Sequence, residues 1–209
     1  MEIKVHILKS GLPIVIFDDY YSEKQTKLIT REIEFLSGNN KLLGPDQTGS
    51  AETSTQDGVK LKKQNKGLFL DEAYFDRNIS DILNINRKIF DLEIVNILEE
   101  INPVFRWLKE VNFDSTLLSY YEDSDYYENH VDSCVLTVLS YFFDTPKKFS
   151  GGDITFEGEV TIPCEFNRTI IFPSILMHEV SPIEIPDEFK NKNYGRYAIT
   201  QLISFKGDN

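Results

Sequence analysis

From about Phe113 to Phe205 the sequence is a succession of short runs rich in β-branched and aromatic residues, interrupted by Gly151-Gly152 and by prolines at 146, 163, 173, 182 and 186. Leu117 to Tyr121, Val135 to Phe143, Thr169 to Phe172 and Tyr197 to Phe205 have the length and composition of strands. Many short strands with turn signals between them, and no helical pattern alternating with them, leave an antiparallel sandwich or barrel as the architecture. No internal repeat and no low-complexity tract offers another solution.

Upstream the pattern changes. Ile14-Val15-Ile16-Phe17 is a short apolar strand that Asp18-Asp19-Tyr20-Tyr21-Ser22 breaks. Ser22 then reads as a helix N-cap, with Gln25 placed to close a capping box. Leu28, Ile29, Ile33 and Leu36 follow at helical spacing. From Ser37 to Gly67 there is no periodicity: Gly44-Pro45-Asp46, Thr48-Gly49-Ser50 and the Ser/Thr-rich stretch to Thr55 read as turn and loop material. A loop of that length is either a lid over a site or a plain mobile loop, and both readings stay open. Ile79 to Leu108 is helical in pattern, with Ile82, Ile85, Ile89, Ile94, Ile97, Leu98 and Ile101 apolar, and Asn102-Pro103 starts a further short helix. The expected organisation is α+β: one domain over residues 1–209, with a strand, helices and loop in 1–111 and the β core in 112–209.

A formal net charge of -12 argues against nucleic acid and anionic membrane surfaces as partners, because an acidic surface repels phosphate. The densest basic stretch is the short run Lys60–Lys66. Cys134 and Cys164 are the only cysteines, with no CxxC pair, so no disulfide framework is expected. No long apolar segment marks a signal peptide or membrane span. A reducing, cytoplasmic setting is the expectation.

The chemistry concentrates in the β zone. His130-Val131-Asp132 sets an imidazole and a carboxylate two residues apart, and on a strand such residues share a face. His178 could close the site from a neighbouring strand. Two histidines and one carboxylate on one side of a metal leave positions open for a cosubstrate and O2, the arrangement used by non-haem Fe(II) oxygenases. His-x-Asp also occurs by chance, and these histidines could be hydrogen-bonded core residues. Further on, Arg196, Ala198, Thr200 and Leu202 share one face of the last strand. An arginine in so apolar a run is costly unless it meets an anion, and its fork fits a carboxylate at two points. That anion could be a ligand, or an Asp or Glu of the chain.

Together these blocks resemble the prolyl 4-hydroxylase-like branch of the Fe(II)/2-oxoglutarate-dependent dioxygenases, over about Leu117 to Phe205. Tyr121, Tyr127, His130 and Asp132 meet the pattern Tyr-x5-Tyr-x2-His-x-Asp. Thr137-Val138-Leu139-Ser140-Tyr141 looks like the family strand whose tyrosine touches the cosubstrate. Gly151-Gly152-Asp153-Ile154-Thr155-Phe156 looks like the family's Gly-Gly-acid turn and strand. Phe172-Pro173, then His178-Glu179-Val180-Ser181-Pro182, then Arg196-Tyr197-Ala198-Ile199-Thr200 complete the order, the last two blocks being similar to the oxygen-sensing prolyl hydroxylases.

The resemblance implies a double-stranded β-helix, a jelly-roll of cupin type, with the N-terminal helices packed on its major sheet. It implies His130, Asp132 and His178 as Fe(II) ligands, Arg196 on the distal carboxylate of 2-oxoglutarate, and Tyr141 as a hydroxyl donor to it. Tyr120 or Tyr121 would line the cosubstrate pocket, Thr200 would support it, and Tyr127 would lie on the substrate side of the metal. One departure stands out: Arg196 lies 18 residues beyond His178, farther than the family pattern, so Ile185 to Tyr194 reads as an inserted hairpin or loop. Lys190 or Lys192 within it could compete for the carboxylate. The implied reaction is hydroxylation of an unactivated C–H bond with release of succinate and CO2, on a prolyl residue of a protein or peptide, with ascorbate as a possible reductant. A free amino acid or other small molecule is the alternative substrate. Nucleic-acid demethylation is disfavoured, since Leu202 stands where such enzymes carry a second arginine. Two rivals of other classes remain: a non-catalytic jelly-roll binding module, and a cupin-type zinc or manganese protein indifferent to 2-oxoglutarate.

Overall fold

The computed structural model describes residues 1–48, 52–55 and 58–206. In chain order the elements are β1 (Glu2–Ile7), β2 (Pro13–Asp18), α1 (Glu23–Gly38), β3 (Glu52–Thr55), β4 (Gly58–Leu61), β5 (Lys66–Phe69), α2 (Leu70–Ala73), α3 (Asp81–Ile85) and α4 (Leu92–Ile101). There follow β6 (Phe113–Tyr121), β7 (Tyr127–His130), β8 (Leu136–Phe142), β9 (Ser150–Gly151), β10 (Ile154–Phe156), β11 (Val160–Ile162), β12 (Thr169–Pro173), β13 (His178–Val180), β14 (Ile183–Glu184) and β15 (Arg196–Ser204). A seven-stranded sheet in the order β1-β2-β12-β8-β15-β6-β5 faces a four-stranded sheet in the order β11-β10-β13-β7, and every pairing is antiparallel.

The larger sheet is covered on both faces, which is why Ile14 to Phe17 of β2 is apolar without interruption and why even Thr137 and Ser140 of β8 are buried. Every residue of β8 is buried. In β2, Ile14 and Ile16 join the core between the two sheets, whereas Val15 and Phe17 join a second core on the other face. That second core takes Ile29, Ile33 and Leu36 from α1, Ile82 and Leu83 from α3, and Ile94, Val95 and Leu98 from α4. Each such aliphatic side chain contributes about 1.5–3 kcal/mol when fully buried. The two-sided burial stiffens the sheet from which the site is built.

The capping box at Ser22 forms, its hydroxyl accepting from the Gln25 amide and the Gln25 side chain accepting from the Ser22 amide. Glu32 is buried on α1 and accepts from Ser80 Oγ (2.7 Å) and the Ile82 amide (2.8 Å), so the carboxylate holds the start of α3. The continuous helical pattern from Ile79 to Leu108 is broken into pieces. Ser80, Asp91 and Asn102 take extended backbone angles as N-caps, and residues 86–90 and 103–109 wind as 3-10 turns. Polar cap residues here compete successfully with helix continuation.

The stretch 37–67 read as loop holds more structure than expected. It contains a 3-10 turn (Pro45–Gln47) and the hairpin β3–β4, and runs into β5. Gly49 and Ser50 lie outside the described residues. The first strand of the hairpin, Glu-Thr-Ser-Thr, has no apolar residue, and the alternation in Val59-Lys60-Leu61 is too short to mark a strand. Beyond β4 the chain crosses between the sheets. The Glu128 amide donates to Lys62 O (2.7 Å) and the Gln64 amide to Tyr126 O (3.0 Å), extending the smaller sheet beyond β7. Residues Lys66 to Phe69 then pair with β6 on the larger sheet. One segment therefore joins the edges of both sheets.

Candidate active site

His130 ends β7, and His178 opens β13 directly across from it. Asp132 follows in the turn after β7, its amide donating to Ser174 O at 3.1 Å. One ligand atom from each of His130, Asp132 and His178 lies within 4.8 Å of the others. His130 Nε2 is 3.7 Å from Asp132 Oδ1, and His178 Nε2 is 3.7 Å from Asp132 Oδ2. Each imidazole uses Nδ1 on a backbone carbonyl, His130 on Glu128 O (2.8 Å) and His178 on Leu176 O (2.9 Å). Carbonyls accept only, so Nδ1 carries the proton and Nε2 presents a lone pair toward the carboxylate, the tautomer a metal requires. Burial, and then the neighbouring His178, push the His130 pKa down to about 4, which keeps that ring neutral and ready to ligate.

Asp132 is itself held. Thr137 Oγ1 donates to its Oδ2 (2.7 Å) and also meets Ser174 Oγ (2.8 Å), which meets Cys134 Sγ (2.9 Å). Tyr127 stacks on the His130 ring, centroids 3.5 Å apart and planes 7° apart.

The triad opens on a cavity of about 230 Å³ between the sheets, lined also by Arg196, Ala198, Thr200 and Leu202, the four residues sharing one face of β15. The Arg196 side chain is 1% exposed. Its guanidinium lies between the rings of Tyr121 (4.5 Å) and Tyr141 (4.6 Å). Its Nε and Nη1, and the Tyr141 hydroxyl, are buried without a hydrogen-bond partner. No carboxylate among the described residues pairs with it, so the internal salt bridge that the sequence left open is absent there. Burial pushes the Tyr121, Tyr127 and Tyr141 phenols up, leaving them neutral donors at ordinary pH. Gly152, at φ +74°, is where the backbone passes Arg196: a Cβ would sit 3.0 Å from Arg196 Cδ.

Tyr121 stands opposite Arg196 in the β6–β15 pairing and lines the cavity. Tyr120, the other residue expected there, faces away: it belongs to the helix-side core, donates to Glu122 Oε2 (2.7 Å) and stacks near Tyr197. One step along a strand reverses the face, so only one of the two can reach the cavity. Lys190 and Lys192 stay on the surface, Lys190 paired with Asp123 (3.0 Å) and Asp187 (2.8 Å), Lys192 on Glu188 O. Residues 186–194 form turns with no strand. Cys134 and Cys164 are free thiols.

Sequence reasoning missed Lys63 and Asn65, which line the cavity from the segment joining the sheets. In Lys62-Lys63-Gln64-Asn65-Lys66 every residue is polar, so burial of two of them leaves no hydrophobic signature. Thr137 as support for Asp132 was missed too, being five residues away along the chain and visible only once the strands pair.

Residues 116–204, from β6 to the end of β15, match the family model of the 2OG-Fe(II) oxygenase superfamily. That segment, which carries the triad and Arg196, is similar to this superfamily. Among solved structures it is similar to a prolyl hydroxylase from Trichoplax adhaerens in complex with a hypoxia inducible factor peptide fragment, with a TM-score of 0.61, 15% identity, and coverage of 91% of this chain and 83% of the other. A Pseudomonas putida prolyl-4-hydroxylase aligns with a TM-score of 0.60 at 10% identity, covering 93% of each chain. A viral collagen prolyl hydroxylase from Paramecium Bursaria Chlorella virus-1, in its 2OG complex, gives 0.55 at 12%, covering 92% of this chain and 96% of the other. These likenesses establish a common fold. No curated protein matches the chain by sequence. The matched segment is that of a 2-oxoglutarate-dependent dioxygenase, whose cofactors are Fe(II) and 2-oxoglutarate. Its cavity suits both: a two-histidine, one-carboxylate donor set, and a buried guanidinium and phenol lacking an acceptor. Among the described residues no helix is long and apolar enough to cross a membrane.

Proposed function

We propose that the whole chain works as one catalytic unit, hydroxylating a C–H bond of a prolyl residue in a protein or peptide. His130, Asp132 and His178 hold Fe(II) through two Nε2 atoms and a carboxylate oxygen. Arg196 takes the distal carboxylate of 2-oxoglutarate in a two-point contact, Tyr141 donates its hydroxyl to the same carboxylate, and Tyr121 and Thr200 wall the cosubstrate. Tyr127, stacked on His130, borders the substrate side. Bound metal and cosubstrate supply the oxidising chemistry, in which 2-oxoglutarate and O2 become succinate and CO2 and one oxygen atom enters the substrate. The chain's part is to orient the ligands, exclude water and keep the His130 imidazole neutral.

The observation that carries this reading is Arg196. A guanidinium 1% exposed, flanked by two tyrosines and facing the same cavity as the triad, is uncompensated unless an anion enters. The prolyl assignment draws on the hydroxylases that share the fold, one of them seen with a peptide. The test is anaerobic addition of Fe(II) and then 2-oxoglutarate, recording the visible spectrum beside a His178→Ala control. A weak charge-transfer band that needs both additions and is lost in the control is expected. Absence of the band, together with no calorimetric binding of 2-oxoglutarate, would rule the reading out and leave a jelly-roll binding module.

A further inference from the structure

Lys63 and Asn65 are each 4% exposed, while Gln64 and Lys66 beside them are exposed, so the strand-like segment turns alternate side chains into the cavity. Lys63 Nζ donates to the carbonyl and the hydroxyl of Thr48, two neutral acceptors, and approaches the Tyr127 ring at 6.0 Å. An ammonium has three donors, and no carboxylate among the described residues pairs with this one. Burial draws its pKa below the ordinary lysine range, as expected of a cation without an anion beside it. Asn65 Oδ1 is buried with no donor to it.

The charges of the site show what is missing. Fe(II), Asp132, the two carboxylates of 2-oxoglutarate and Arg196 together are neutral. Lys63 adds one positive charge in the same cavity, and no described residue cancels it. The flanking chain repeats the sign: Lys62 and Lys66 stand at the surface of this segment, within the densest basic run of a protein whose net charge is -12. A local basic collar on an acidic protein draws an anion to one place.

We propose that Lys63 and Asn65 are substrate-recognition residues, and that the substrate brings a single carboxylate to Lys63 and an N–H donor to Asn65 Oδ1. This rests on reading the triad and Arg196 as the iron and 2-oxoglutarate site. The carboxylate can belong to a free acid or to an acidic side chain beside a prolyl residue.

Calorimetry under anaerobic conditions, with Fe(II) and 2-oxoglutarate bound, separates the sources through two matched pairs. L-proline against L-prolinamide, both of which keep a ring N–H, tests a free acid; acetyl-Asp-Pro-amide against acetyl-Asn-Pro-amide tests an acidic side chain. The acid of at least one pair should bind about tenfold tighter than its neutral partner, the scale of one charge-assisted hydrogen bond. That preference should vanish in Lys63→Met with the affinity for 2-oxoglutarate unchanged. If Lys63→Met fails to fold, because Lys63 also holds Thr48, Asn65→Asp should remove the preference by placing a negative charge beside the ammonium. Native protein that binds 2-oxoglutarate but holds neither acid tighter than its partner overturns the inference, as does a preference that survives the variant which folds. Failure of native protein to bind 2-oxoglutarate at all would instead overturn the reading of the site beneath it.

Discussion

Replacing Arg196 by methionine should separate what this residue does for the fold from what it does for the ligand. In the ligand-free protein the guanidinium is 1% exposed, with Nε and Nη1 lacking partners. Each unmet buried donor costs about 1–3 kcal/mol, and removing the charge from water adds several more. Against this stand the two tyrosine rings at 4.5 and 4.6 Å, each giving back about 2 kcal/mol when desolvated. The sum lies near zero or on the unfavourable side. Methionine fills much the same slot without a charge, so Arg196→Met should leave the ligand-free protein as stable as native, or up to about 2 kcal/mol more stable, in urea unfolding. The same change removes the two-point contact to the cosubstrate carboxylate. It should weaken 2-oxoglutarate binding by about 3–5 kcal/mol, on the order of a hundredfold to a thousandfold or more, in calorimetry on metal-loaded protein. Arg196→Lys should recover only part of this, since an ammonium cannot reproduce the fork. Loss of several kcal/mol of ligand-free stability with 2-oxoglutarate affinity intact would refute the reasoning and make Arg196 a packing residue.

Three further outcomes are expected. Thr137→Val removes the hydroxyl that donates to Asp132 Oδ2 at 2.7 Å, and should weaken metal binding by about 10–100-fold, as loss of such supporting contacts does, while Thr137→Ser retains it; a metal titration decides. Glu32→Gln removes the charge that accepts from Ser80 Oγ and the Ile82 amide, and should cost about 2 kcal/mol in urea unfolding while leaving 2-oxoglutarate affinity unchanged. Burial pushes the Asp125 carboxyl up to about 6. A folded pKa above the unfolded value near 3.8 means that the native state holds a proton the unfolded chain releases, so stability falls as pH rises from about 4 to about 6. Asp125 is only half-buried, so Asp125→Asn should gain about 1 kcal/mol at pH 7, with the difference vanishing below pH 4; an equal gain at both pH values would exclude this cause.

The parts of the molecule legible in the sequence are those where burial leaves a pattern. β2 reads as an unbroken apolar run, and β8 as one interrupted only by Thr137 and Ser140, because both faces of the larger sheet are covered. His130 and Asp132 stood out because a strand end brings residues two apart to one side. Arg196 stood out as a charge in an apolar strand. The choice between Tyr120 and Tyr121 was not legible, because it depends on the register of β6 against β15. Arg196 pairs with Tyr121, and no residue near Tyr121 in the chain records this. The hairpin and the segment after it were hidden for a different reason. β3 is polar throughout and β4 alternates over three residues only, while Lys62 to Lys66 are polar both at the surface and at the cavity, so neither burial nor strand period could be read from them.

That hidden segment and Arg196 share a physical logic. The chain carries 34 acidic residues against 22 basic ones, yet among the described residues Asp132 is the only carboxylate lining the cavity, which also holds Arg196 and Lys63. Elsewhere Glu99 pairs with Arg106 and Asp123 with Lys190 at the surface, and the buried Glu32 is held by Ser80 and the Ile82 amide. The cavity is therefore short of negative charge in a protein that has it in excess. Such a site is costly when empty and relieved when filled, so ligands should stabilise the fold through the very groups that recognise them. At a free concentration one hundred times its Kd, a ligand that binds only the folded state adds about 2.7 kcal/mol. This linkage explains why neither cation is matched by a carboxylate among the described residues: an internal partner would satisfy the fold and close the site to the anion it is built to receive.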